Sequence, residues 1–263
     1  LNLRKATKFG NSSSIDGMMN DGLTDVYSES SMGVLADNCA SDYSISRESQ
    51  DEYAINSYVK SIKSTENNYF SDEIIPVFYK DKRGNEIVIE KDEQISKVKF
   101  DKIPKLSPAF VKNGSVTAAN SSPISDGASI LVLMSLKKAK EMDLKPLAKI
   151  IDFHDAAIEP NKFTIAPSKA IKELALKTDS NLEDIDLFEI NEAFSMVPIV
   201  NTNILGLDDK KVNINGGAVS LGHPLGCSGA RILTTLIHNL HRLKKKKGIA
   251  AICNGGGGAS SVQ

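Results

Sequence analysis

Residues 248–253, Gly-Ile-Ala-Ala-Ile-Cys, form an apolar run that stops at Asn254 and four consecutive glycines, Gly255 to Gly258. A run this short with no polar alternation reads as a strand covered on both faces. Such a strand needs helices above and below it, which places the chain in the α/β class. The neighbouring segments agree. Residues 231–243 put Ile232, Leu233, Leu236, Ile237 and Leu240 on one face of an amphipathic helix. Residues 187–190 read as a short strand running into Asn191-Glu192-Ala193-Phe194, and residues 168–176 have helical spacing. Further upstream, residues 116–119 read as a strand entering a small-residue turn and 126–134 as a buried strand. A charged helix over 136–142 and another strand over 148–153 follow. No repeat with a period of 20–50 residues is present.

The first hundred residues are polar and rich in serine and asparagine. Within them, Ala54, Ile55, Tyr58, Val59 and Ile62 recur at helical spacing behind Ser46, a suitable N-cap. Residues 86–90 alternate like a strand after the turn at Gly84-Asn85. This texture suits a subdomain laid on a larger core, and it changes near Ser115. The 263 residues, 41% of them hydrophobic, suffice for one large or two small domains. A formal net charge of -1 argues against nucleic acid or an anionic membrane as partner. The basic run Lys244 to Lys247 reads as a solvated turn. No apolar stretch approaches the ~18 residues of a membrane span. Three cysteines without metal-site spacing point to a reducing compartment. Because the first residue is Leu1, the biological start and any targeting segment are expected upstream.

Three clusters carry the chemistry, each at the end of an expected strand, where α/β proteins place their sites. They are residues 191–194, 215–224 and 253–258. The four glycines can expose backbone N–H groups to a developing oxyanion, or simply form a flexible turn. His223 is fixed between Gly222 and Pro224, ahead of a helix starting around residues 226–228. An imidazole there could activate a thiol or hold an oxyanion, and the helix N-terminus beyond favours a nearby anion. Cys253 either closes its strand as a small buried residue or exchanges a proton. Cys39, Cys227, His154, His238 and His241 read as structural or incidental. The residues themselves therefore reach acyl or carbonyl chemistry and no particular substrate.

Taken together, in order and spacing, Asn191-Glu192-Ala193-Phe194, Gly222-His223-Pro224 and Cys253-Asn254-Gly255-Gly256-Gly257-Gly258 resemble the C-terminal signature of thiolases. Asp21-Gly22-Leu23-Thr24-Asp25, Met32-Gly33 and Val116-Thr117-Ala118-Ala119-Asn120 match upstream, so the resemblance spans essentially the whole chain. It implies the family's five-layered αβαβα sandwich of two similar halves, with a loop domain inserted in the first. Residues 1–119 would be the loop domain, 120–142 the closing segment of the N-terminal half and 143–263 the C-terminal half. Most of the N-terminal half would lie upstream.

The reaction implied is condensation of two acetyl-CoA to acetoacetyl-CoA, or the reverse thiolysis, through a cysteine acyl-enzyme. Its nucleophile would also lie upstream, since neither Cys39 nor Cys227 occupies the family's motif. By the same resemblance, His223 activates that nucleophile and helps hold the enolate's thioester oxygen. Cys253 takes the α-proton of the second acetyl group, Asn191 orients a water in one oxyanion hole, and the N–H of Gly255 serves the other. Ser122, Met32, Tyr58, Lys102 and Phe163 fall in the coenzyme A pocket, where Ser31 replaces a common family histidine. Phe163 matches a phenylalanine of potassium-activated acetoacetyl-CoA thiolases. Their potassium site corresponds to Tyr58, Ala118, Ala119, Ser121 and Val219, with Ser121 in place of alanine. No other cofactor is implied; the partners are acetyl-CoA, acetoacetyl-CoA and CoA, the assembly a homotetramer, the compartment mitochondrion or cytoplasm. A 3-ketoacyl-CoA thiolase for longer chains and a catalytically dead CoA- or lipid-binding relative are the rival readings.

Overall fold

Short polar side chains start the first helices of the computed structural model, which describes residues 13–263. The first twelve residues of the expected loop domain lie outside that range. Asp16 caps α1 (Gly17–Gly22), Ser31 caps α2 (Met32–Asp42), and Ser46 caps α3 (Arg47–Glu66) by accepting the Ser49 N–H. Each cap satisfies a backbone donor that the first helical turn leaves unpaired. An exposed hairpin follows, β1 (Val77–Lys80) antiparallel to β2 (Glu86–Ile89). The remaining elements are α4 (Leu136–Glu141), β3 (Phe153–Ala157), α5 (Ala166–Lys177), β4 (Leu187–Ile190), α6 (Met196–Leu205), α7 (Ala218–Leu221), α8 (Leu225–Arg242), β5 (Gly248–Asn254) and β6 (Gly258–Val262).

The main sheet has the order β3-β6-β5-β4. β4 and β5 are parallel, joined by the crossover through α6, α7 and α8, whereas β5–β6 and β6–β3 are antiparallel. Alternation along β4 sends Phe188 and Ile190 into the largest apolar cluster, with Ile171, Leu174, Met196 and Val197. Leu187 points the other way, onto Leu236 of α8 and Ala250. Helices thus cover both faces, α5 on one and α8 on the other. Residues 248–251 of β5 are accordingly all buried, as the unbroken apolar run requires.

Three expected strands differ from the structure. Residues 126–134 belong to no helix or strand, with Ile130, Val132 and Leu133 exposed by 86%, 79% and 70%. An apolar run becomes a strand only beside a neighbour, and local pattern does not supply one. Of residues 148–153 only Phe153 is in a strand. β3 continues instead through His154 to Ala157, where β6 offers partners. Residues 116–119 turn because side chains take their donors. Asp37 accepts the Val116 N–H at 2.9 Å, and the Asn120 side chain accepts that of Thr117 at 2.7 Å.

Candidate active site

The parallel pairing sets the geometry. Ile190 on β4 lies opposite Ala251 on β5, and the Asn191 N–H donates to the Ala251 carbonyl at 3.0 Å. Asn191 and Cys253 therefore leave the C-terminal ends of adjacent strands. His223 arrives from the α7–α8 turn. There Gly222 adopts φ 101°, and a side chain would collide with the Ser125 hydroxyl. The Asn191 Nδ2 donates to His223 Nε2 at 3.3 Å.

That contact assigns the tautomer. An amide nitrogen can only donate, so Nε2 holds the lone pair and Nδ1 carries the hydrogen. Nδ1 faces the Ser228 hydroxyl, which passes its own hydrogen to the Pro224 carbonyl at 3.1 Å. Every member of this chain is satisfied. Burial pushes the imidazole down from 6.5 to about 4, which keeps it neutral near pH 7.

Cys253 is 7% exposed, and burial raises its thiol to about 12. Burial also raises Cys39 and Cys227, and all three cysteines are free. No thiol among them is lowered toward a resting thiolate. The glycines form the tight β5–β6 turn, with φ of 85° at Gly256 and 86° at Gly257. A Cβ at Gly257 would run into the Ile158 carbonyl oxygen. The run is therefore a shaped turn rather than a loose one. The Gly255 N–H meets no acceptor among the described residues.

Met32, Phe163, Phe194 and Cys253 share one buried apolar cluster. Ser122 is pinned beside them, its N–H and its hydroxyl both donating to the Ala193 carbonyl at 3.0 and 2.9 Å. Tyr58 and Val219 belong to a second cluster with Ala54, and the Phe100 ring meets Tyr58 edge-on. Lys102 is exposed on the 3-10 turn Phe100–Lys105, Ala118 is exposed, Ala119 half-buried and Ser121 buried. His154, read as incidental, lies within β3 and contacts Glu173 at 2.8 Å.

Two contributors escape the sequence reading. Ser228, the partner of His223 Nδ1, sits on the first turn of α8 with nothing around it to flag a role. Glu192, quoted only as part of its motif, is 1% exposed and accepts four hydrogen bonds. Those donors lie 21 to 139 residues away along the chain, so no spacing signals them.

An α/β fold carrying a neutral imidazole, an amide and a strand-end thiol beside a glycine turn is an arrangement suited to acyl or carbonyl chemistry. The model of the thiolase N-terminal domain matches residues 1–137 and that of the thiolase C-terminal domain residues 144–263. The chain belongs to the thiolase family. It is 48% identical over 260 residues to a probable acetyl-CoA acetyltransferase of Dictyostelium discoideum, covering 99% of this chain and 63% of that protein. A crystal structure of the Bacillus anthracis acetyl-CoA acetyltransferase superposes with a TM-score of 0.93 at 42% identity. That match covers 99% of this chain and 66% of the other. The Acat5 thiolase of Ascaris suum in complex with coenzyme A gives a TM-score of 0.87 at 41% identity, covering 98% and 66%. The chain thus spans less than two-thirds of the length of each of these relatives.

Proposed function

We propose that the protein to which this chain belongs is an acetyl-CoA C-acetyltransferase, condensing two acetyl-CoA to acetoacetyl-CoA or running the thiolysis in reverse. The observation that carries this reading is the Asn191–His223 contact, at the end of the strand beside the one that carries Cys253. The name of the Dictyostelium relative and the coenzyme A bound by the Ascaris thiolase support it. Residues 1–119, 120–142 and 143–263 serve as loop domain, closing segment and C-terminal half.

The roles follow from the resting protonation states. His223 Nε2 offers a lone pair, so it takes the proton of a nucleophilic cysteine placed upstream of this chain. The imidazolium formed then carries hydrogens on both nitrogens and holds the thioester oxygen through Nε2, with Asn191 beside it. Attack on the first acetyl-CoA expels the CoA thiolate. Cys253, protonated at rest, gives that thiolate its proton and becomes a thiolate itself. In this form it takes the α-proton of the second acetyl group, whose carbanion attacks the acyl-enzyme. The departing cysteine recovers its proton from His223, and all groups return to their starting state. The Gly255 N–H is a free donor for the oxyanion of that second step.

Ser122, Met32, Tyr58, Lys102 and Phe163 form the coenzyme A pocket in this reading. The donor set for potassium fits as well. The backbone oxygens of Ala118, Ala119, Ser121 and Val219 accept no hydrogen bond from the described residues. These oxygens and the Tyr58 hydroxyl are neutral donors of the kind that suits a large monovalent cation. Bound there, potassium would hold the 118–121 loop to α3 and α7. The expected assembly is a homotetramer, measurable by light scattering.

The test is thiolysis by the full-length protein. Acetoacetyl-CoA should be cleaved faster than a long-chain 3-ketoacyl-CoA, and Cys253→Ser should lower kcat by about 10²–10⁴. Preference for the long chain, or no thiolysis at all, would replace the acetoacetyl reading with one of its rivals. Equal rates in sodium and potassium buffers would remove the potassium site.

A further inference from the structure

We infer that Glu192 is a positioning residue, a buried carboxylate that ties helix α3 to the two catalytic side chains it does not itself touch. The inference rests on the thiolase reading above. One carboxylate oxygen of Glu192 accepts the Tyr53 hydroxyl at 2.9 Å and the Asn213 amide at 3.0 Å. The other accepts the Ser57 hydroxyl at 2.7 Å and the Val219 N–H at 3.1 Å. Tyr53 and Ser57 come from α3, Val219 from α7, and Asn213 from the loop that follows β4 in space.

Each connection leads to the site. Glu192 follows Asn191 directly, so holding its side chain fixes the backbone from which Asn191 reaches His223. Val219 lies four residues before His223, on the short helix that delivers it. The approach is also sterically closed. A side chain at Gly217, beside α7, would collide with the Glu192 carboxyl, and the Gly217 N–H donates to the Ser57 hydroxyl at 3.1 Å. Asn213 is held in turn, exchanging hydrogen bonds with the N–H and carbonyl of Ile190 at 2.8 Å each.

Four donors converge on two oxygens, an arrangement that calls for a side chain with an acceptor at both positions. Burial among them raises its pKa, while all four donors act to lower it. Whatever the proton on Glu192, the Val219 N–H and the Asn213 amide, one on each oxygen, can only donate, so each carboxyl oxygen must accept. An amide does not substitute. Its NH₂ would face either the Val219 N–H or the Asn213 amide, and neither can turn to accept.

The experiment uses Glu192→Gln and Tyr53→Phe in the full-length protein, with two readouts taken where each variant is folded. Glu192→Gln should lower kcat for acetoacetyl-CoA thiolysis about 10–100-fold and change KM less than about threefold, because it displaces catalytic groups and not the CoA pocket. NMR titration of the His223 ring, which needs no turnover, should move upward by about one unit as the loosened turn admits water. His223 faces the neutral Asn191 and Ser228, so its ring reads burial. Tyr53→Phe removes one of the four donors and should move both readouts in the same direction, kcat by about threefold. If both variants keep the wild-type kcat and His223 titration and lose only thermal stability, Glu192 is structural and the inference falls. If the wild-type protein shows no thiolysis but Glu192→Gln still shifts His223, the positioning stands and the assigned reaction fails.

Discussion

Replacing His223 with glutamine should change how stability depends on pH, by an amount set by its burial. The imidazole falls from 6.5 to about 4 on folding. Below pH 6.5 the unfolded chain binds a proton that the folded protein refuses, so stability is full above pH 6.5 and is lost as pH falls toward 4. At 1.36 kcal/mol per unit the loss is about 3 kcal/mol. Glu73 works in the opposite direction. Its carboxyl rises from 4.5 to about 7, through burial first, with one oxygen held by Thr235 and the other unpartnered. The folded state prefers it protonated, so its contribution is full below pH 4.5 and is lost as pH rises toward 7. It too amounts to about 3 kcal/mol.

The two slopes nearly cancel in the wild-type protein between pH 4.5 and 6.5. Urea unfolding at intervals across pH 4–7.5 separates them, because changes in midpoint at constant slope report stability directly. In His223→Gln the Glu73 slope stands alone, and stability should climb by about 3 kcal/mol on acidification. In Glu73→Gln the His223 slope remains, and stability should fall by a similar amount. Slopes of other carboxylates are common to both variants and cancel in the comparison. Parallel pH profiles for wild type and both variants would mean that neither group is desolvated as described.

Ser228→Ala removes the acceptor of the His223 Nδ1–H. The ring should shift toward the opposite tautomer in ¹⁵N NMR, and kcat should fall about 10–100-fold, since a proton on Nε2 blocks the lone pair that acts as base. Gly257→Ala forces a side chain into φ 86° and against the Ile158 carbonyl. It should cost about 2–4 kcal/mol in thermal or urea unfolding.

Much of the C-terminal half was legible because its elements declare themselves locally. Residues 248–253 carry the period of a strand buried on both faces, and 168–176 and 231–243 the period of helices. The Ser46 cap and the Gly84 turn were readable for the same reason. The misreadings concern what lies beside a segment. Residues 126–134 have a strand's composition but no ladder partner among the described residues. Residues 258–262, Gly-Ala-Ser-Ser-Val, have a loop's composition yet pair with β5 and β3. At the site, His223, Cys253 and Asn191 stood out through their glycine-rich and motif surroundings. Ser228, Tyr53 and Asn213 are ordinary residues whose importance arises only when the fold brings them to a buried imidazole or carboxylate.

The electrostatics of the resting site explain why these neutral contacts matter. Burial suppresses the charge of each titratable group placed in the reaction, holding His223 unprotonated and Cys253 protonated. Charge in the pocket must then arrive with the chemistry, as thiolate, oxyanion or enolate. A preformed imidazolium would already be solvated by fixed partners and would have little left to give a transition state. In the proposed reaction, a neutral ring aligned by Asn191 and Ser228 gains its charge in the step that creates the oxyanion, where the interaction is strongest. The same burial that makes His223 a weak base at rest thus makes its cation a strong partner for that oxygen. Positioning has to come from uncharged hydrogen bonds around the pair, and from the Glu192 carboxyl, which four donors hold behind the strand.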